Sequence, residues 1–201
     1  MSVPVSPPMR GRPRDPRRRQ AILDAAIALV GEVGYDRMTV EALAARAGVS
    51  KPTIYRRWPG GKAEIVVEAI RALRAASGEL PDTGSLRGDL IAFLGVVAGS
   101  LDAKVAGGLL SHLSSSDELA ALFREEVVAD ERHRYQVLFD RARTRGEMAA
   151  DVTPLLVDIP GSVILTRSLI AGEPLDHEFI VELVDNVLLP LCSPKKVPHG
   201  S

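Results

Sequence analysis

Three observations in the sequence predict an all-α fold. Apolar residues recur at three- and four-residue spacing through most of the chain, the period of a helix buried on one face. Aromatic residues make up only 4%, while Ala, Leu, Val, Arg and Glu dominate, a composition that favours helices over sheets. No stretch of strand-length alternation and no internal repeat competes with that pattern.

The bulk numbers bound the rest. A chain of 201 residues holds one compact domain or two small ones, each with a real core. Cys192 is the single cysteine, which excludes an internal disulfide and fits a reducing cytoplasm. The longest uncharged apolar run, Leu90 to Leu101, is too short to span a bilayer. Prolines and arginines occupy the N-terminus, where a secretory signal needs an apolar core. The expectation is a soluble cytoplasmic protein with no membrane partner. The net charge of −1 conceals an asymmetry, because residues 1–62 carry 12 basic and 5 acidic side chains while the remainder carries 13 and 21. That split points to a polyanion-facing head on an acidic body, with uneven surface decoration as the plainer alternative.

Residues 1–14 hold four prolines and no apolar periodicity, so they read as a flexible basic arm in which Arg10, Arg12 and Arg14 alternate with Gly11 and Pro13. Asp15-Pro16 has the form of a helix cap and first residue. The helix behind it repeats Ala21/Ile22, Ala25/Ala26 and Leu29/Val30 on one face, with Gly31 and Gly34 as its stop. Thr39 caps a short helix from Val40, whose inner stripe is Val40, Leu43, Ala44 and Ala47, and Gly48 ends it. Ser50 is placed to cap a third helix, Lys51 to about Arg57, with Pro52 in its first turn. Trp58-Pro59-Gly60-Gly61 closes that helix. Three short helices, the last two joined by a Gly-containing turn, form a helix-turn-helix candidate over 15–61.

A connecting helix is expected from Lys62 to about Ser77 within a segment ending at 80, and Pro81-Asp-Thr-Gly-Ser85 marks the best internal boundary. Residues 86–192 then read as a second helical unit, followed by a tail, 193–201. Helices are expected over Leu86 to about Ala103 and Val105 to Leu113. Ser115 and Glu118 have capping-box spacing before a long helix, about Asp117 to Thr144. The last two helices are expected over Pro154 to Ile170 and Asp176 to Leu191.

The residues that carry chemistry cluster in the third helix. Thr53 and Arg57 lie four apart, as do Lys51 and Tyr55, so Ile54 can point inward while Lys51, Thr53, Tyr55, Arg56 and Arg57 cover outward faces. A short surface helix with donors near its N-terminus is what reading a major groove requires. Tyrosine hydroxyl and arginine also hold phosphates and fix register. Lys62, at the start of the next helix, adds cationic reach toward phosphate. Tyr55 and Trp58 have a second reading as apolar caps on the small core, and Arg56 and Arg57 as solvated charges or partners of Glu32, Asp36 or Glu41.

At this point the sequence resembles a known family. Gly34-Tyr35, Thr39-Val40-Glu41, Leu43-Ala44, Ala47-Gly48-Val49-Ser50 and Thr53-Ile54-Tyr55 followed by Trp58 resemble the DNA-binding domain of the tetracycline-repressor (TetR) family over about residues 17–75. Pro81 to Leu90, with Arg145-Gly-Glu147 before Asp151, resembles the ligand-binding half of an actinobacterial-type subgroup. The resemblance implies that Ser50, Lys51, Pro52, Thr53, Tyr55, Arg56 and Arg57 face DNA, with Thr39 beside them and Lys62 at a phosphate. Many relatives place two residues between the aromatic and this lysine, whereas Pro59, Gly60 and Gly61 make three here. Arg10, Arg12 and Arg14 are expected to reach the minor groove or phosphates, with a merely solubilising tail as the plainer alternative.

The resemblance further implies a homodimer formed by the last two helices. Leu169 and Ile170 on one, and Phe179, Ile180, Leu183, Val184, Val187 and Leu188 on the other, are the expected interface, although the same stripe also reads as ordinary core. An effector pocket is implied among the middle helices, with Phe93, Val97, Leu110, His112, Leu113, Phe123, Tyr135, Phe139 and Leu165 as candidates. Apolar lining suits a largely apolar small molecule. His112 has the simpler reading of a hydrogen-bonded structural histidine. No metal-ligand spacing, cofactor motif or catalytic set is present in the sequence, so neither cofactor nor metal is expected. An enzyme on a helical bundle and a non-specific architectural DNA binder are the competing classes. The expectation is a regulator, most simply a repressor, on a palindromic DNA operator.

Overall fold

The computed structural model describes residues 16–148 and 154–192, and among them every regular element is helical. The arm with Arg10, Arg12 and Arg14, the Asp15 cap, Asp151 and the tail lie outside the described residues.

Helix α1, Pro16–Arg37, buries Ile22, Leu23, Ala25, Ala26, Leu29 and Val30, the face that its spacing predicts. Gly31 remains helical and does not stop it, a departure from expectation. Gly34 alone breaks the helix, at φ 80° and ψ 162°, so that Tyr35 and Met38 turn back into the core. Thr39 caps α2, Val40–Ala47, accepting the Ala42 N–H at 3.1 Å, and Gly48 closes it with φ 63°. Helix α3, Lys51–Arg57, follows. Ser50 holds its cap position without capping a backbone N–H; its hydroxyl pairs instead with the Thr53 hydroxyl at 2.9 Å.

Helix α4, Lys62–Ala76, leads out of the head. Helices α5, Leu86–Ser100, and α6, Ala103–Leu113, meet at an 86° bend, where Asp102 caps α6 by accepting from the Lys104 and Val105 N–H groups. Two neighbouring serines then divide the next junction. The Ser115 hydroxyl bonds back to the His112 carbonyl, and Ser116, not Ser115, caps the following helix by accepting from the Leu119 N–H. That helix, α7, runs unbroken through Asp117–Phe123, Arg124–Val128 and Ala129–Thr144, and its middle segment has π-type hydrogen bonding. A 3-10 turn at Pro154–Val157 precedes α8, which comprises Ile159–Leu165 and Thr166–Ala171. The last helix, α9, comprises His177–Leu183, Val184–Leu188 and Leu189–Cys192. Among the described residues no single helix is long and apolar enough to cross a membrane.

The core divides in two. One part joins α1 to α4 and takes in Leu109 of α6 and Leu119 and Val127 of α7. The other joins α5, the latter half of α7, α8 and α9. The head therefore shares its apolar core with the body, and α6 presses directly on α1. A Cβ at Gly108 would lie 2.6 Å from the Val30 carbonyl oxygen, so the close approach requires glycine.

Asp89 supports the turn after α4. It is fully buried, accepts the Thr83 N–H at 2.6 Å and the Thr83 hydroxyl at 2.8 Å, and pairs with Arg145 at 3.1 Å. Arg145 also bonds Glu147, whose carboxylate takes the Leu86 N–H at the start of α5. The motif pair around Asp89 and Arg145-Gly-Glu147 is thus one polar knot that ties the entry of α5 to the end of α7.

Candidate DNA-binding face and effector cavity

Helix α3 is held from below and open above. Ile54 is buried, Thr53 half-buried, and Lys51, Pro52, Tyr55, Arg56 and Arg57 are exposed, as is Ser50 ahead of them. Tyr55 is 48% exposed, which removes it from the core. Trp58 resolves the other way: its indole is fully buried and its Nε1–H donates to Glu68, which also holds Arg19. Glu68 thereby fastens the end of α3 and the start of α1 to α4. Arg57 lies over the Trp58 ring at 5.2 Å, and Arg56 has no ion pair among the described residues. Glu41 and Glu32 do not pair with either arginine, because Lys51 holds Glu41 at 2.6 Å and Arg46 holds Glu32 at 2.8 Å. The Lys51 contact draws the Glu41 carboxyl below its ordinary range through a direct hydrogen bond. Thr39 is exposed but has its hydroxyl engaged in the cap of α2.

Lys62 departs from expectation. Its ammonium donates to the carbonyl oxygens of Tyr35 and Asp36 at 3.1 and 3.2 Å and sits 4.4 Å from the Tyr35 ring centre. Lys62 reaches the break in α1 at Gly34, where carbonyls outside the helical ladder accept its protons. It staples α4 to the end of α1, with two of its three protons already engaged. Tyr35 is buried beneath it, and that burial, with Glu118 and Asp36 nearby, pushes its phenol up to about 12.

A cavity of about 560 Å³ opens between the end of α4 and helices α5 to α8. Of the predicted lining, Phe93, Val97, Leu110, Phe123 and Leu165 are on its wall. Tyr135 and Phe139 are not: they are buried in the second core, with Tyr135 edge-on behind Phe93 at 5.1 Å. The Tyr135 hydroxyl has no hydrogen-bond partner among the described residues, and burial, with Glu131 adding, pushes it far above the ordinary phenol range. Leu113 packs on the first core. His112 also lies away from the cavity, at the α1–α6 joint. Its Nδ1 faces the Ser111 hydroxyl at 2.9 Å and the Gly108 carbonyl at 3.3 Å, its Nε2 lies 3.8 Å from Asp36, and it fulfils the structural reading.

Sequence reasoning missed the polar part of the wall. Arg74 and Glu131 pair at 2.6 Å on the cavity lining, each about three-quarters buried. The signal was present: Arg74 continues the Ile70 stripe of α4, and Glu131 lies one turn before buried Tyr135 on α7. A charge inside an apolar stripe marks a partnered or functional group.

The residues expected at a dimer interface divide between core and surface. Phe179, Ile180, Leu183, Val184 and Leu188 are buried inside the chain's own core, because α9 packs on α5 and is tied there by a two-pronged Arg87–Asp185 bond at 2.7 and 2.8 Å. Leu169 is half-buried and lies 4.0 Å from the place a Cβ would take on Gly107 of α6. Only Ile170, 82% exposed, and Val187, 38% exposed, remain outward, joined by Leu191 at 42%.

A short exposed basic helix seated on a three-helix head, with a helical body behind it, is the arrangement of a DNA-binding regulator. The family described as "Bacterial regulatory proteins, tetR family" matches residues 22–69, and "Tetracyclin repressor-like, C-terminal domain" matches residues 80–187. The chain belongs to the TetR family of transcriptional regulators. It is 36% identical over 185 residues to the DNA-binding transcriptional repressor TetR of Mycobacteroides abscessus, covering 90% of this chain and 97% of that one. It is 34% identical over 187 residues to the HTH-type transcriptional regulator Rv1556 of Mycobacterium tuberculosis, covering 89% and 92%. Among solved structures it resembles the TetR family transcription regulator SCO0332, with a TM-score of 0.69 and 29% identity, covering 89% of this chain and 100% of that one.

Proposed function

We propose that this regulator is a repressor that binds a palindromic operator as a homodimer and leaves it when a largely apolar small molecule fills the cavity. The observation that carries this reading is the position of α4. Lys62 and Glu68 fix its first half to the head, while Ile70, Leu73 and Arg74 in its second half line the cavity. A ligand that reshapes the cavity therefore tilts the element on which α3 rides, and in a dimer this changes the separation of two recognition helices. The effector must bind the DNA-incompetent arrangement more tightly than the competent one. Tyr55, Arg56 and Arg57 are the side chains assigned to DNA, and Ser50, Lys51, Pro52 and Thr53 to the groove-facing end of α3. The name of the Mycobacteroides abscessus relative supports repression.

Selection of bound duplexes from a random pool tests the reading. A palindrome with half-sites one helical turn apart, or a multiple of it, is expected from a symmetric pair of recognition helices. Recovery of a single asymmetric half-site contradicts the dimer, and recovery of no preferred sequence contradicts specific regulation.

A further inference from the structure

The charged groups around the cavity pair off unequally. Arg74, in the last turn of α4, donates to Glu131 Oε2 at 2.6 Å and to the Val127 carbonyl at 3.1 Å, a group in the π-type segment of α7. The other Glu131 oxygen, Oε1, has no hydrogen bond among the described residues. It lies 3.9 Å from the place a Cβ would take on Gly161, which is part of the cavity wall. The two other arginines on the wall are engaged, Arg132 with Asp158 at 3.2 Å and Arg134 with Asp130 at 2.9 Å. Glu79 and Asp102 line the same cavity without an ion pair among the described residues, Asp102 serving only as the cap of α6. The unmatched charge on the wall is negative. Phe93 and Phe123 add aromatic rings to it.

We propose that the effector is a monocation with a largely apolar body, whose charge takes Glu131 from Arg74. This rests on the reading of the cavity as the effector site. The displaced guanidinium keeps favourable company at the C-terminal end of α4 and has a second carboxylate in Glu79, five residues on. An anion that captured Arg74 would instead strand Glu131 on a wall that also carries Glu79 and Asp102, with Arg132 and Arg134 already engaged. Leaving a carboxylate about three-quarters buried without a partner is the costlier exchange. Aromatic rings in a partly dry wall favour the cation further. Loss of the Arg74 bonds to Glu131 and Val127 removes two polar ties between the end of α4 and α7, leaving the Arg71–Glu126 pair between them, and α4 carries the head.

Three probes of similar bulk separate the possibilities: tetraphenylphosphonium, tetraphenylborate and neutral triphenylphosphine oxide. Binding to the full-length protein is measured by equilibrium dialysis, and release of its selected operator by fluorescence anisotropy. The phosphonium is expected to bind roughly tenfold more tightly than the borate and to release the operator, an ion-pair and cation–π preference. Glu131→Gln is expected to weaken phosphonium binding roughly tenfold while leaving the neutral probe unchanged, which also reports an intact cavity. Arg74→Gln removes the competitor for Glu131 and is expected to strengthen it. A merely structural pair would lower affinity in both variants alike, and that result overturns the proposal. Equal or tighter binding of borate or the neutral probe, insensitive to Glu131→Gln, overturns the charge assignment while the cavity reading stands. Failure of all three probes to bind overturns the cavity reading and the proposal with it.

Discussion

Asp89 is the one fully buried charged side chain among the described residues. Burial alone would raise its carboxyl, but the Thr83 N–H, the Thr83 hydroxyl and Arg145 hold it below the ordinary value of 3.8. A folded value below the unfolded one means that the ionised group stabilises the fold above the ordinary value and loses that contribution as pH falls through the folded value. Asp89→Asn leaves Arg145 facing an uncharged amide, and a loss of roughly 3 kcal/mol is expected at neutral pH by urea denaturation. The gap between variant and wild type should close as pH drops below 3.8 and through the folded value. A gap that does not depend on pH would contradict the role given to this carboxylate. Residue-scale roles were legible in the sequence where a single periodicity decided them, as with Ile54 inward and Arg56 outward. They were not legible for Asp89 or Lys62, whose partners Arg145 and Tyr35 are brought near only by tertiary folding.

Elements were the most readable level, because capping chemistry and apolar spacing are local. Thr39, Gly48, Pro52 and Ser85 all stand where caps and first turns require them. What spacing could not convey was which helices touch. The stripe on α9 has the same period whether it packs on α5 or on a second chain, and the structure commits Phe179, Ile180, Leu183 and Val184 to α5 and its neighbours. The π-type segments of α7, α8 and α9 carry no signature in the apolar pattern. At this scale the α1–α6 contact makes a sharp prediction. Gly108→Ala forces a methyl group to within 2.6 Å of the Val30 carbonyl, so backbone must move. A loss of about 1–3 kcal/mol in thermal unfolding is expected, with weaker operator binding because α1 anchors the head. Unchanged stability and unchanged DNA affinity would show that the head and body are not pressed together there.

For the whole molecule, the basic head and acidic body visible in the sequence are joined through α4 and the α1–α6 contact, the head carrying α3 and the body the cavity. Ile170 is 82% exposed, with Val187 and Leu191 also partly outward on α9, and we propose these apolar groups as part of the contact with a second copy. Ile170→Glu is expected to shift the protein from dimer toward monomer in light scattering, with little change in the stability of the single chain. An unaltered dimer would place the interface elsewhere. The account as a whole rests on α3 reading DNA. Its most direct test is anisotropy titration of a selected palindromic duplex and a scrambled one, across salt, with wild type, Arg56→Ala and Tyr55→Ala. Wild-type affinity should fall steeply with salt and favour the palindrome. Arg56→Ala should lose ~1–3 kcal/mol of preference if it reads a base edge, and Tyr55→Ala should weaken binding on both duplexes. Equal affinity of wild type for palindrome and scramble at low salt, unmoved by either substitution, would contradict it.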